Sequence, residues 1–161
     1  MLFKIGDYIA HPMHGAGVIE SIVTKKINGS QRDYYVLKLP VGDMVVMVPV
    51  SGCENIGVRS IISRSEAEKL FSAFSEIEIS MTQNWNKRYR ENMDKIKSGN
   101  LLDVASVVKG LMCRDSERGL STGERKMLHS AKQILISELV IATNMDYDGV
   151  EKRLCAALEE R

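Results

Sequence analysis

The only tryptophan of the chain, Trp85, stands in the run Trp85-Asn86-Lys87-Arg88-Tyr89-Arg90, an aromatic ring among cations. An indole can stack on a base or wedge beside one at a distorted step, and flanking Lys and Arg can neutralise phosphates without reading sequence. On a helix, at about 100° per residue, Trp85, Tyr89, Met93 and Ile96 fall within about 80° of one another. Arg90 and Lys97 border that stripe on one side, Arg88 and Lys95 on the other. Two readings stay open on this pattern. Either Trp85 is core and the bases form a solvated rim, or Trp85 sits at a domain edge and faces nucleic acid. Arg114 and Arg118, spaced i, i+4, extend such a patch, and Arg125, Lys126 and Lys132 follow on the next helix.

Other candidate chemistry is weaker. His11-Pro12-Met13-His14 offers two imidazoles with no nearby Cys and no third ligand, so it reads as loop and no metal is expected. Cys53, Cys113 and Cys155 are odd in number, widely spaced and free of any CxxC, which points to reduced thiols. Gly15 and Gly17 lack the GxxxxGK[ST] pattern of a phosphate loop and read as residues that let the chain turn into the next strand. Ser121-x-Gly123 lacks the flanking glycine of a nucleophile elbow. No catalytic set stands out, so an enzyme is not expected, nor a cofactor or a small-molecule substrate.

The elements that must position these residues fall into two groups. Residues 1–60 read as β. A short strand lies near Asp7–Ala10, and a β-branched stretch holds Val18, Ile19, Ile22, Val23 and Ile27. Asn28-Gly29 is a two-residue hairpin signal. Strands over 34–39 and 44–50 follow, separated by a turn at Pro40 and Gly42-Asp43, with Pro49 near an edge. From about Ser63 the apolar period changes to 3.6. Ser65-x-x-Glu68 reads as a capping box for a first helix, and Thr82 as the cap of the Trp85 helix, which Gly99 stops. Asn100 opens a third helix ending near Gly119. Ser121-x-x-Glu124 opens the longest, and Asp146 or Asp148 the last. The expected fold is α+β: a small Tudor-like or SH3-like antiparallel β-barrel over 1–60, then an all-helical domain of about five helices over 61–161.

Composition bounds the function. The 161 residues are 44% apolar and 27% charged with a net charge of +1, which fits a globular protein rather than a disordered one or a bulk polycation. Within that neutrality, residues 85–132 hold 11 basic and 6 acidic groups, net +5, while residues 133–161 hold 3 basic and 6 acidic, net −3. A basic middle in a neutral chain suits a phosphate-facing surface. No apolar run is long enough for a transmembrane helix, and Lys4 and Asp7 interrupt any signal-peptide core, so a cytoplasmic protein with no membrane partner is expected.

Several stretches together carry a family resemblance. They are Phe3-Lys4-Ile5-Gly6-Asp7, His11-Pro12-Met13-His14-Gly15, Tyr35-Val36-Leu37-Lys38, Val48-Pro49 and Gly57-Val58-Arg59 in the β half. The helical half adds Trp85-Asn86-Lys87-Arg88-Tyr89-Arg90-Glu91-Asn92, Lys97-Ser98-Gly99 and Arg114-Asp115-Ser116-Glu117-Arg118-Gly119-Leu120-Ser121, then Gly123-Glu124. In order and spacing, from residue 1 to about 142, the chain resembles the CarD-like bacterial transcription regulators.

The resemblance implies an N-terminal Tudor-like domain that binds the RNA polymerase β subunit by strand addition, a module also found in transcription-repair coupling factors. It implies a helical domain on promoter DNA at the upstream edge of the transcription bubble, with Trp85 as a minor-groove wedge. On this reading Lys87, Arg88, Arg90, Arg114, Arg118, Arg125 and Lys126 hold the DNA, while Lys25, Ile27, Met47 and Pro49 meet polymerase. The open complex would be stabilised without sequence-specific readout, and the protein would join the nucleoid through polymerase. Family members often carry arginines where Lys25 and Met47 stand; Lys25 keeps the charge without the planar fork, and Met47 has none. The alternative is a protein-interaction adaptor whose helical domain binds a protein and whose Trp85 is core. A sequence-specific repressor is disfavoured by the lack of a short-turn recognition pair.

Overall fold

A computed structural model describes residues 2–40 and 44–159 of the chain. Strand β1 (Tyr8–His11) turns into β2 (Gly15–Ile27). Asn28 and Gly29 both take positive φ, 52° and 81°, as a tight two-residue turn demands, and β3 (Ser30–Lys38) returns along β2. β4 (Val45–Pro49) pairs with β3. A single helical turn, α1 (Cys53–Ile56), leads to the two-residue β5 (Arg59–Ser60), which pairs with β1. The five strands are antiparallel in the order β4-β3-β2-β1-β5. This is the expected antiparallel domain ahead of helices, with its sheet left open: β4 and β5 are its two edges. The turn expected at Gly42-Asp43 lies outside the described residues.

Alternation along the strands builds the first core. Ile9, Ile19, Tyr35, Leu37 and Val48 are wholly buried and pack with Phe3, Leu39, Cys53 and Val58. The Tyr35 hydroxyl accepts from the Phe3 N–H at 3.1 Å and donates to the Phe3 carbonyl at 3.2 Å, which ties the N-terminal segment to the sheet. Burial raises the Cys53 thiol above its ordinary pKa. Cys113 and Cys155 are free and half-buried.

The helices are α2 (Arg64–Phe74), α3 (Trp85–Lys97), α4 (Leu101–Arg118), α5 (Thr122–Thr143) and α6 (Tyr147–Glu159). Two starts differ from the sequence expectation. The capping box of α2 is Ser63 with Glu66, not Ser65 with Glu68. Ser63 is the residue in extended conformation, and its hydroxyl accepts from the Glu66 N–H while the Glu66 carboxylate accepts from the Ser63 N–H. Glu68 instead binds Arg153 of α6, whose guanidinium also lies 4.1 Å over the Phe71 ring. Asn84, not Thr82, caps α3, accepting from the Lys87 N–H; the Thr82 hydroxyl donates to Glu91. Asn100 and Ser121 cap α4 and α5 as expected, Gly119 ends α4, and of the two candidates for α6 it is Asp146 that accepts from the first turn. No helix among the described residues is long and apolar enough to cross a membrane.

Helix α5 is central. It packs on α2, α3, α4 and α6, and its middle lies on the start of β2. There Gly15, at φ 96°, leaves no room for a side chain: a Cβ would collide with the Ser137 hydroxyl. The next residue, Ala16, donates its N–H to that hydroxyl at 2.9 Å. Gly17 has an ordinary φ, and its hydrogen lets the Lys38 backbone approach closely. Thus Gly15 fits the turning role expected of both glycines, whereas Gly17 serves close packing. Beside this contact, Arg59 donates to both oxygens of the buried Glu138 at 2.7 and 3.0 Å and to the Gly99 carbonyl at 3.0 Å, and the Ile62 N–H donates to Glu138 at 2.9 Å. A two-pronged ion pair at the seam holds the sheet and the helices in one orientation.

Candidate functional site

The N-termini of α3 and α5 and the C-terminus of α4 converge on Trp85. Its side chain is 42% exposed, so it is not core. Trp85 is the first residue of α3, beyond the layer where the bundle closes, and its stripe partners divide: Ile96 is buried, Tyr89 and Met93 half-buried. The indole stacks on Tyr89 at 5.1 Å between centroids and 19° between planes. Its Nε1–H donates to the Ser121 hydroxyl at 3.1 Å. Beneath it, a Cβ on Gly123 would stand 3.3 Å from the ring, so the glycine leaves the indole a floor.

The face of α3 turned inward runs Arg88, Asn92, Ile96, spaced i, i+4, i+8. This corrects the placement of Arg88. It is 2% exposed and cannot stand on a phosphate-facing rim. Its guanidinium donates to both Glu124 oxygens, at 2.9 and 3.2 Å, and to the Thr82 and Gln83 carbonyls at 3.1 and 2.9 Å. Such saturation is what lets a cation enter a core. Arg114 is drawn toward the same carboxylate, its Nε 3.9 Å from Glu124 and without a hydrogen-bond partner, so it is a half-buried rather than a freely exposed cation. Burial pushes the Glu124 carboxyl up. The hydrogen bonds and charge of Arg88, with Arg114 and Ser121 behind them, outweigh that and hold it below the usual carboxylate range. Ser121 therefore makes only half of its expected capping box. It accepts from the Glu124 N–H at 3.2 Å, while the Glu124 carboxylate serves Arg88.

Lys87, Arg90, Arg118, Arg125 and Lys126 are exposed, all within the helix ends that meet at Trp85. Asp115 and Glu117 are exposed on the same end of α4 and reduce the local excess of positive charge. Lys132 lies further along α5, 2.8 Å from Glu151. The arrangement is a half-exposed, rigidly seated aromatic ring among cations, at two helix N-termini whose dipoles also favour anions.

The second candidate surface is the sheet. The Leu39 N–H donates to Met44 and the Val50 N–H to Asp33. In an antiparallel ladder this makes 39/44, 37/46, 35/48 and 33/50 the hydrogen-bonded pairs, so Val45 and Met47 turn their N–H and C=O groups away from β3, toward the open edge. Pro49 stands at the third such position, where its missing N–H costs the sheet nothing. Register also gathers side chains. The ladder rows Ser21/Val36/Met47, Val23/Tyr34/Pro49, Lys25/Arg32 and Ile27/Ser30 lie on the sheet face opposite the core. Lys25, Ile27, Met47 and Pro49, named from sequence, thus share one face. Arg32 was missed, although counting outward from the Asn28-Gly29 turn places it opposite Lys25.

His11 and His14 rings stand 4.6 Å apart in the turn before β2. His11 Nδ1 accepts from the Met13 N–H, and burial, then His14, lowers its pKa. No group of three or more His, Cys, Asp or Glu suited to a metal occurs among the described residues.

Residues 3–62 match the family described as the CarD-like/TRCF RID domain, and residues 69–155 match the CarD C-terminal domain. The chain belongs to the CarD-like family. A curated relative, "Putative transcription factor YdeB" of Bacillus subtilis (strain 168), is 37% identical over 140 residues, which span 87% of this chain and 92% of that protein. Membership in the CarD-like family carries a role in transcription and, through the RID domain, an interaction with RNA polymerase; it is a family of regulators rather than of enzymes. Both surfaces described above fall inside the matched regions, the open strand edge in one and Trp85 in the other.

Proposed function

We propose that this protein bridges the RNA polymerase β subunit and promoter DNA at the upstream edge of the transcription bubble, and stabilises the open complex without reading sequence. The single observation that carries the reading is the state of Trp85: half-exposed, stacked, hydrogen-bonded and ringed by cations. The work divides at residue 60/61, polymerase binding before it and DNA binding after it.

On the polymerase side, an incoming strand of the β subunit pairs with the free backbone groups of Val45 and Met47, the β-augmentation mode, while Lys25, Ile27, Met47 and Pro49 supply side-chain contacts. Arg32 offers beside Lys25 the planar guanidinium that Lys25 itself lacks. On the DNA side, Trp85 wedges into the minor groove at a step that melting has already distorted. Unstacking an intact step costs a few kcal/mol, so open DNA is preferred over closed, and only such a preference shifts the equilibrium. Lys87, Arg90, Arg118, Arg125 and Lys126 hold phosphates, with Arg114 at their edge and Arg88 excluded. Free-DNA affinity is weak and salt-sensitive, and tethering through polymerase raises the local concentration. The protein acts in the cytoplasm.

The test is open-complex lifetime with purified bacterial RNA polymerase on a fluorescently labelled promoter. Wild-type protein lengthens it, and Trp85→Ala, folded and still bound to polymerase, loses most of the effect. If both leave melting unchanged while binding polymerase, the adaptor reading replaces this one.

A further inference from the structure

We infer that Ser121 is the positioning residue of the wedge: its hydroxyl holds the Trp85 indole in one orientation, so that the helical domain meets DNA with a preset ring. The inference rests on the DNA reading of Trp85 proposed above and adds to it the group that sets the ring's pose.

The oxygen of Ser121 joins three things. It accepts the indole Nε1–H at 3.1 Å, accepts the Glu124 N–H at 3.2 Å as the cap of α5, and donates its own proton to Glu124 Oε1 at 3.3 Å. Glu124 is itself held in two places by Arg88. The hydroxyl is therefore aimed by a buried ion pair and has no freedom to rotate away from the ring. The indole is restrained on three sides: by Tyr89 on one face, by Ser121 at the nitrogen and by Gly123 below. A ring that is already ordered loses little side-chain entropy when it enters a groove, whereas a free one must be ordered by the DNA. Trp85 and Ser121 come from different helices, so the contact also fixes the start of α3 against the start of α5, where the exposed cations stand.

The hydroxyl has a second duty as helix cap, and the test must separate the two. Glycine is nearly as good an N-cap as serine but has no hydroxyl; threonine keeps both duties. The full-length variants Ser121→Gly and Ser121→Thr are compared with wild type in three measurements: thermal midpoint, time-resolved fluorescence anisotropy of the sole tryptophan, and open-complex lifetime with polymerase. Ser121→Gly is expected to keep the midpoint within a few degrees, to give the indole a fast depolarising component, and to shorten the open-complex lifetime about fivefold, the equivalent of one hydrogen bond. Ser121→Thr is expected to restore both readouts. Trp85→Phe, which has no N–H, is expected to gain no further loss from Ser121→Gly in the double variant.

Unchanged anisotropy and lifetime in a folded Ser121→Gly, with Trp85→Ala still defective, overturns the positioning role and leaves the DNA reading intact. A Trp85→Ala variant without any defect removes the DNA reading itself. Additive losses in Trp85→Phe with Ser121→Gly assign Ser121 to helix capping alone and also overturn the inference.

Discussion

Arg88 and Glu124 lie 36 residues apart in the chain and face each other through two hydrogen bonds, with 2% and 3% of their side chains exposed. The pair fastens α3 to α5 directly beneath Trp85. Breaking such a pair leaves a charge in the core, which is costlier than never having buried one. Glu124→Ala is expected to lower unfolding free energy by about 3–5 kcal/mol. Arg88→Met combined with Glu124→Leu is expected to lose less than Glu124→Ala alone. Urea denaturation measures both, and a loss under about 1 kcal/mol for Glu124→Ala contradicts the pairing.

The same carboxyl sets part of the acid sensitivity. Glu124 and Glu68 are both held below the ordinary value of 4.5, Glu124 against the upward push of burial by Arg88, and Glu68 chiefly by its hydrogen bonds to Arg153. A carboxyl whose folded pKa is depressed contributes stability that is whole above its unfolded pKa and lost as pH falls through the folded one. Stability is thus expected to decline from about pH 5 downward. Glu124→Gln is less stable than wild type at pH 7, and the gap closes as the pH drops. Urea midpoints between pH 7 and pH 3 measure this; a constant gap refutes it.

Exposed Lys87 and Arg90 differ from buried Arg88 in what their loss does. Lys87→Ala and Arg90→Ala are each expected to reduce the salt slope of DNA binding by about one while leaving the unfolding midpoint nearly unchanged. Lys152→Ala, on α6, is expected to leave the slope alone. Fluorescence-polarisation titrations of a forked duplex at several salt concentrations give the slopes.

At the strand edge, Met47→Pro removes one of two outward N–H donors without touching the β3 ladder. Binding to a β-subunit fragment is expected to weaken about fivefold, the worth of one hydrogen bond, with the fold retained. Val45→Thr, which keeps its donor, is expected to bind as wild type. Calorimetric titration against the fragment decides the matter, and equal affinity for Met47→Pro moves the contact away from this edge.

The seam between sheet and helices has its own probe. Gly15→Ala puts a methyl into the Ser137 hydroxyl at a positive φ, and roughly 2–4 kcal/mol of destabilisation is expected. Gly6→Ala, also at positive φ but with open space around it, carries only the backbone part of that cost. Thermal unfolding of the two variants separates strain from collision.

Local chemistry alone determined much of this protein. Asn28-Gly29 set the hairpin, and through it the register that puts Lys25 and Ile27 on one face, because a two-residue turn leaves the strands no other pairing. Asn100, Ser121 and Gly119 marked helix ends by side-chain and backbone preferences that act within four residues. Where two such signals stood close together, as Ser63 and Ser65 or Thr82 and Asn84, the sequence could not rank them, since either residue can cap and only the path of the preceding chain selects one. Arg88 shows the larger limit. On a helical wheel it is a cation at the edge of an apolar stripe, indistinguishable from Arg90. Only the tertiary fold supplies the carboxylate and two carbonyls that make its burial favourable, and those come from another helix and from the loop before α3. The same holds for Trp85: its type announced a functional ring, but whether it lay in the core or at an edge depended on where α5 begins, because Ser121 and Gly123 make its seat.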